Sequence, residues 1–174
     1  VPKTLGLVSD FLFDRLAVSL REQGYSAQEV DAVLARRDRR AAEVPKALAA
    51  VRAFAALPES ASLAAANKRV TNILAKSAPG GAQAPEPARF VDAQERELYA
   101  ALTAVRLQSD PAYERGDYSA SLQALAALKA PVDAFFDHVM VNADDPALRA
   151  NRLGLLAELH TAMNRVADLS KLAA

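Results

Sequence analysis

The sequence predicts an all-α fold, a bundle of about seven to eight helices forming one domain over residues 1–174. A chain of 174 residues with 52% hydrophobic residues can bury a substantial core. Its commonest residue is alanine, and leucine, arginine and glutamate are also frequent, all strong helix formers. Valine and isoleucine seldom alternate with polar residues, so strand signals are nearly absent. The zero net charge means that any nucleic-acid surface must be a local patch.

Four helices are predicted in the first half from apolar residues spaced three or four apart. The first, third and fourth are predicted over about 9–23, 44–57 and 60–76, and the second is predicted to begin at Ser26. Gly24 is a stop signal for the first helix. Ser26 and Glu29 form a capping-box pattern at the start of the second, and Pro45 fits the first turn of the third.

A segment rich in proline, glycine and alanine follows, over about residues 77–90. It has turn signals and no periodicity, which predicts a mobile loop. Neither half of the chain has an obviously self-sufficient core, so the loop is interpreted as a connector within one domain.

Four more helices are predicted after this loop, from the same spacing and from start signals. Their starts are Asp92 with its capping-box partner Glu95, about Asp117, the residues after Pro131, and Asp144-Asp145-Pro146. A polar turn is predicted over 109–116, the seventh helix is predicted to reach Met140, and the eighth about Leu169.

Residues that commonly carry chemistry are scarce. There is no cysteine, and neither His138 nor His160 has a second metal-type ligand at helical spacing, so no metal site is expected. No nucleophile motif, P-loop or dinucleotide fingerprint is present, so no catalytic residue is assigned. Asp133 and Asp137 lie one helical turn apart, which suits either acid–base chemistry or pairing with an arginine.

The fourth predicted helix has a polar, basic face. A helical wheel at about 100° per residue places Leu63, Ala66, Val70, Ile73 and Leu74 inward. The residues on the outward face are Lys68, Arg69, Asn72 and Lys76. Positive charge beside an amide suits contact with phosphates and bases. The alternative is an ordinary solvated face.

The densest basic cluster lies at residues 36–40. Its arginines are Arg36, Arg37, Arg39 and Arg40. They fit either a phosphate-binding patch or a helix C-terminus whose dipole favours cations. The four tyrosines could stack on bases or lie at the rim of the core; they are Tyr25, Tyr99, Tyr113 and Tyr118.

Arg152 falls between leucines on the wheel of the eighth helix, so it points toward the core. A buried guanidinium needs carboxylates or carbonyls. Because a short connection predicts that the seventh and eighth helices are antiparallel neighbours, a structural ion pair of Arg152 with Asp137 or Asp133 is expected. The alternative is that Arg152 contacts RNA.

Several stretches closely resemble the C-terminal region of the bacterial glycyl-tRNA synthetase beta subunit. They are AAANKRVTNILAK at 64–76, GDYSASL at 116–122, APVDAFFDHVMV at 130–141 and DDPALRANRLGLL at 144–156. The ending VADLSKL at 166–172 and the opening FLFDRL at 11–16 fit as well. The loop after Ser77 has no counterpart in the resemblance.

The resemblance implies an anticodon-binding domain of the DALR type, as in class Ia synthetases, that binds the anticodon region of glycine tRNA. It implies an alpha-subunit partner, in a tetramer of two alpha and two beta subunits, that uses ATP and glycine. This chain is then expected to hold no cofactor, to lack aminoacylation activity alone and to be cytoplasmic. No apolar run approaches the roughly 20 residues needed to span a bilayer, so neither a transmembrane helix nor a membrane partner is expected. The rival classes are a helical protein-interaction module with no RNA role, and an enzyme domain using Asp133 and Asp137.

Overall fold

A computed structural model describes residues 2–36 and 40–173, with side chains from residue 10 onward. The described residues form eight α-helices, four short 3-10 helices and no strand, which confirms the all-α prediction. The α-helices are α1 Pro2–Glu22, α2 Ala27–Leu34, α3 Val44–Ala55, α4 Ser60–Ser77, α5 Ala93–Glu114, α6 Tyr118–Ala124, α7 Lys129–His138 and α8 Pro146–Met163. The 3-10 helices are Ala41–Glu43, Pro87–Arg89, Leu125–Leu128 and Leu169–Leu172.

Helix starts are set by local caps. The Asp92–Glu95 capping box at α5 is complete, and the Asp145 side chain accepts from the first amides of α8. At α2 the Ser26 hydroxyl accepts from the Glu29 amide, but the Glu29 carboxylate binds Arg52 at 2.9 Å instead of completing a box. The predicted capping box is therefore half right.

Several predicted helix boundaries are wrong. Helix α1 begins earlier than predicted, at Pro2, and α5 continues through the predicted polar turn to Glu114. Pro111 is accommodated inside α5 because the carbonyl it leaves unbonded belongs to Leu107, on the exposed side of the helix. The helix break predicted at Pro131 lies earlier, at Leu125–Leu128, and Pro131 is in the first turn of α7. Helix α7 ends at His138, before the predicted Met140.

Helix α8 ends at Met163, earlier than predicted, because the side chain of Asn164 bonds the backbone on both sides of the helix end. The Asn164 side-chain nitrogen donates to the carbonyl of His160 at 2.8 Å. Its side-chain oxygen accepts from the amide of Leu169 at 3.1 Å. This side chain therefore turns the backbone from α8 into the last 3-10 helix.

One hydrophobic cluster includes residues from both sides of the 77–90 segment. Phe54 and Phe135 are its largest fully buried side chains. Helix α4 packs against α8 and the last 3-10 helix, while α5 packs against α6, α7 and α8. No single described helix is long and apolar enough to span a membrane. Taken together, residues 41–55 and helix α4 have sufficient length and apolar composition, but the chain bends by 110° between them.

The segment after α4 lies against α8. The Asn151 side chain accepts from the amide of Glu86 at 2.6 Å and donates to its carbonyl at 3.2 Å. A Cβ on Gly154 would lie 2.2 Å from the carbonyl oxygen of Gln83, so only glycine permits this approach. The mobility of this segment stays a prediction.

Candidate nucleic-acid interface

Helix α4 presents a stripe of polar side chains to solvent. Lys68, Arg69, Asn72 and Lys76 are all exposed, as the wheel predicts, and we call them the α4 basic face. Lys68, Asn72 and Lys76 follow at intervals of four residues, which places their Cβ atoms roughly 6 Å apart along one side of the helix. This side of the helix therefore presents an amide between two positive charges.

The three cations of this face have no carboxylate partner among the described residues. Among the described residues, no salt bridge includes Lys68, Arg69 or Lys76. Several other basic residues are paired with carboxylates, as Lys129 is with Asp133 at 2.8 Å. The positive potential of the α4 basic face is therefore not neutralised by a direct ion pair with a described residue.

Arg69 is held by an aromatic ring of α7. Its guanidinium carbon lies 4.3 Å from the centroid of the Phe136 ring. Phe135 meets that ring edge-on, with centroids 5.5 Å apart and planes at 84°. A cation stacked on an aromatic ring is oriented without losing its charge. Phe136 is a residue of this surface that the sequence reasoning missed.

A buried amide pair fixes the register of α4. Asn67 is fully buried; its side chain donates to the Asn164 side-chain oxygen at 2.6 Å and accepts from the Asn164 nitrogen at 2.9 Å. Asn67 thus positions the residues beside it, which face solvent. The predicted inward face of α4 did not include Asn67, although its place between Leu63 and Val70 is a core position.

Two arginines of the 36–40 cluster are described, Arg36 and Arg40, and they lie in different surroundings. The Arg36 guanidinium donates to the Asn164 carbonyl at 3.0 Å, at the C-terminal end of α8. Arg36 therefore complements the dipole of α8. Arg40 is exposed, and Arg37 and Arg39 lie outside the described residues.

Arg36 lines a cleft of about 380 Å³ beside the end of α8. The other arginines there are paired: Arg106 with Glu158, and Arg165 with Asp110 at 2.7 Å. Burial lowers the pKa of His160 in this cleft, and the charge of Asp168 partly offsets the effect. His138 is exposed on α7. The described residues contain no group of three or more possible metal ligands.

Arg152 is buried as predicted, with 5% exposure, but its predicted partners are wrong. Its Nε donates to Glu95 at 2.6 Å and its Nη2 to Asp92 at 3.0 Å. Its Nη1 donates to the Met140 carbonyl at 2.5 Å. The prediction failed because α8 packs against α4 and α5, which brings the start of α5 to the guanidinium.

The two aspartates predicted to meet Arg152 lie elsewhere. Asp133 accepts from Lys129 at 2.8 Å and from the Ser62 hydroxyl at 3.1 Å. The hydrogen bond with Asp133 raises the pKa of Lys129. Asp137 is exposed. Neither carboxylate lines the clefts described around the end of α8 and along α5.

The four tyrosines are half-buried against the core. Tyr25 lies under the Arg52 guanidinium at 4.4 Å, and Tyr99 packs on Phe90 with ring centroids 5.4 Å apart. The remaining two, Tyr113 and Tyr118, pack on each other at 5.4 Å. Their rings already have partners, which favours the rim interpretation over base stacking.

The helical fold agrees with the comparisons to known proteins. The family model for the DALR anticodon binding domain matches residues 63–172, from α4 to the end of the last 3-10 helix. The match covers more than half of the chain, and the chain belongs to this family.

Curated relatives are glycine–tRNA ligase beta subunits. The chain is 65% identical over 167 residues to that of Dechloromonas aromatica, covering 96% of the chain and 24% of the relative. It is 67% identical over 166 residues to that of Leptothrix cholodnii, covering 95% and 23%. The chain therefore spans about a quarter of the length of these relatives.

Proposed function

We propose that this domain binds the anticodon region of glycine tRNA through the α4 basic face. The main support for this proposal is that the cations of this face are exposed and form no ion pair with a carboxylate among the described residues. The face lies within residues 63–172, which match an anticodon-binding family, and the relatives' name supports glycine tRNA as the ligand.

Each residue of the face has a chemical role in this proposal. Lys68 and Lys76 neutralise phosphates. Arg69, backed by Phe136, presents the free plane of its guanidinium to an unstacked base. Asn72 has an amide that both donates to and accepts from a base edge. The phosphate contacts supply affinity, and the base contacts supply selectivity.

The proposal extends to the whole enzyme as the resemblance implies it. Within a complete beta subunit, the domain holds the tRNA while an alpha subunit uses ATP and glycine for ligation. The assembly contains two alpha and two beta subunits and works in the cytoplasm. This chain supplies recognition only, with no cofactor and no catalytic group of its own.

The test is a triple variant, Lys68→Ala, Arg69→Ala and Lys76→Ala. If each charge-assisted contact is worth on the order of 1 kcal/mol, glycine-tRNA affinity should fall by about a hundredfold. The melting temperature should change little, because the only described interaction lost is the Arg69–Phe136 stack, worth about 0.5–1 kcal/mol.

The matched control removes three exposed arginines from other elements, by Arg21→Ala, Arg89→Ala and Arg115→Ala. Their side chains are 50%, 57% and 60% exposed, and each is paired with a carboxylate. The control changes net charge by the same amount and should leave tRNA affinity within a few fold. Equal losses in both triple variants would mean that the α4 basic face has no special role.

A further inference from the structure

One side of α7 lies against α4 beside the α4 basic face. Asp133 on this side accepts from the Ser62 hydroxyl at 3.1 Å. The Phe136 ring lies under Arg69, with 4.3 Å between the ring centroid and the guanidinium carbon. Asp137 is one helical turn beyond Asp133, at a Cβ separation of roughly 6 Å, and directly follows Phe136 in the chain. An acidic side chain therefore lies at the edge of the α4 basic face, next to the Phe136–Arg69 stack.

The described contacts give Asp137 no cationic partner. It is exposed, and no salt bridge among the described residues includes it. Asp137 is also in the last turn of α7, which ends at His138, and the helix dipole disfavours a negative charge there. Residues that oppose the local preferences of their helix are expected at functional sites.

The chemistry of a carboxylate restricts what it can bind on RNA. It repels phosphates, and in its ionised form it only accepts hydrogen bonds. The exocyclic amino group of cytosine donates, whereas uracil has an accepting oxygen at the same position. A loop base that is stacked on a guanidinium presents its Watson–Crick edge to neighbouring side chains. A carboxylate beside Arg69 therefore suits the amino group of a base stacked there.

We propose that Asp137 accepts a hydrogen bond from the exocyclic amino group of an anticodon cytosine stacked on Arg69. This inference rests on the proposed binding of glycine tRNA. Glycine codons begin with guanines, so the anticodon that pairs with them carries cytosines. The lysines of the α4 basic face then supply affinity through phosphates, and Asp137 supplies selectivity between bases.

The test compares two anticodon stem-loop RNAs, one with the glycine anticodon and one with its cytosines replaced by uridines. The original chain should bind the cytosine RNA about tenfold more tightly, the value of one charge-assisted hydrogen bond. The Asp137→Ala variant should bind the two RNAs with nearly equal affinity, because its affinity for the cytosine RNA falls. Glu97→Ala is the control: Glu97 is an exposed carboxylate of α5, and its removal changes the net charge equally. This control should keep the preference for cytosine.

A solvated carboxylate with no role in base recognition gives a different result. Its removal would change the affinity for both RNAs equally, since only a charge that repels phosphates is lost. An equal change, or an original chain that binds both RNAs equally well, would overturn the proposal. The melting temperature of Asp137→Ala should not fall, because the substitution removes an unfavourable charge from the end of α7.

Failure of the proposed function has a separate signature. In that case the variant lacking Lys68, Arg69 and Lys76 would bind both RNAs as tightly as the original chain does. If that variant instead loses affinity for both RNAs while Asp137→Ala keeps the preference for cytosine, the α4 basic face binds RNA and only the role of Asp137 is refuted.

Discussion

Replacing Arg152 by alanine should destabilise the domain more than any other single change of a charged residue. The guanidinium is 5% exposed and joins α8 to the start of α5 and to the backbone before α8. The substitution removes all three links at once. It also leaves Glu95, which is fully buried, without its cationic partner.

The magnitude follows from what Glu95 retains. Breaking a buried ion pair by removing one partner costs roughly 3–5 kcal/mol. The Glu95 carboxylate still accepts from the amides of Val91 at 2.7 Å and Asp92 at 3.0 Å, which places the cost at the lower end. We expect a loss of about 3 kcal/mol, or about 6–12 °C in melting temperature for a domain of this size.

Urea denaturation followed by circular dichroism measures this loss, with Arg115→Ala as the control. Arg115 forms an exposed pair with Asp117 at 3.7 Å, and such pairs are worth about 0–1 kcal/mol. Adding Glu95→Gln to Arg152→Ala should cost less than the sum of the single changes, because the buried charge is gone. The reasoning is refuted if Arg152→Ala costs no more than Arg115→Ala.

Three further predictions concern packing and pH. Gly154→Ala should cost about 1–3 kcal/mol because its Cβ meets a backbone oxygen at 2.2 Å, whereas Gly80→Ala, which has nothing within 4 Å, should be nearly neutral in thermal melts. Asn67→Ala should cost about 1–3 kcal/mol in urea titrations, since it breaks the buried amide pair with Asn164; a cost near zero would mean that the pair does not hold α4. Burial lowers the pKa of His160 in the folded domain below its ordinary value of 6.5. Between these two pKa values the unfolded chain binds more protons than the folded one, so the free energy of unfolding should fall as the pH drops from 7 through this range. The substitution His160→Gln should flatten that pH dependence.

The elements that sequence reasoning predicted well depend on neighbours within a few residues. The caps at Ser26, Asp92 and Asp145 form with amides two or three positions away, so the local pattern contains the whole interaction. The exposure of the α4 basic face follows in the same way from helical periodicity. Its role in binding stays a prediction, because no local pattern distinguishes an RNA-binding face from a solvated one.

The features that sequence reasoning missed depend on how the helices pack. Glu95 fits a capping box, and nothing local shows that its other oxygen accepts from Arg152. Asn67 occurs at a core position, but its partner Asn164 is 97 residues away. Buried polar groups must be paired, yet the sequence alone does not say with which partner.

The salt dependence of glycine-tRNA binding tests the central claim most directly. Each phosphate contact adds close to one unit to the slope of log K against log salt. The original chain should therefore show a slope steeper by about two units than the variant lacking Lys68, Arg69 and Lys76, with the two binding curves converging at high salt. Parallel lines for the two proteins would contradict the assignment of phosphate contacts to the α4 basic face.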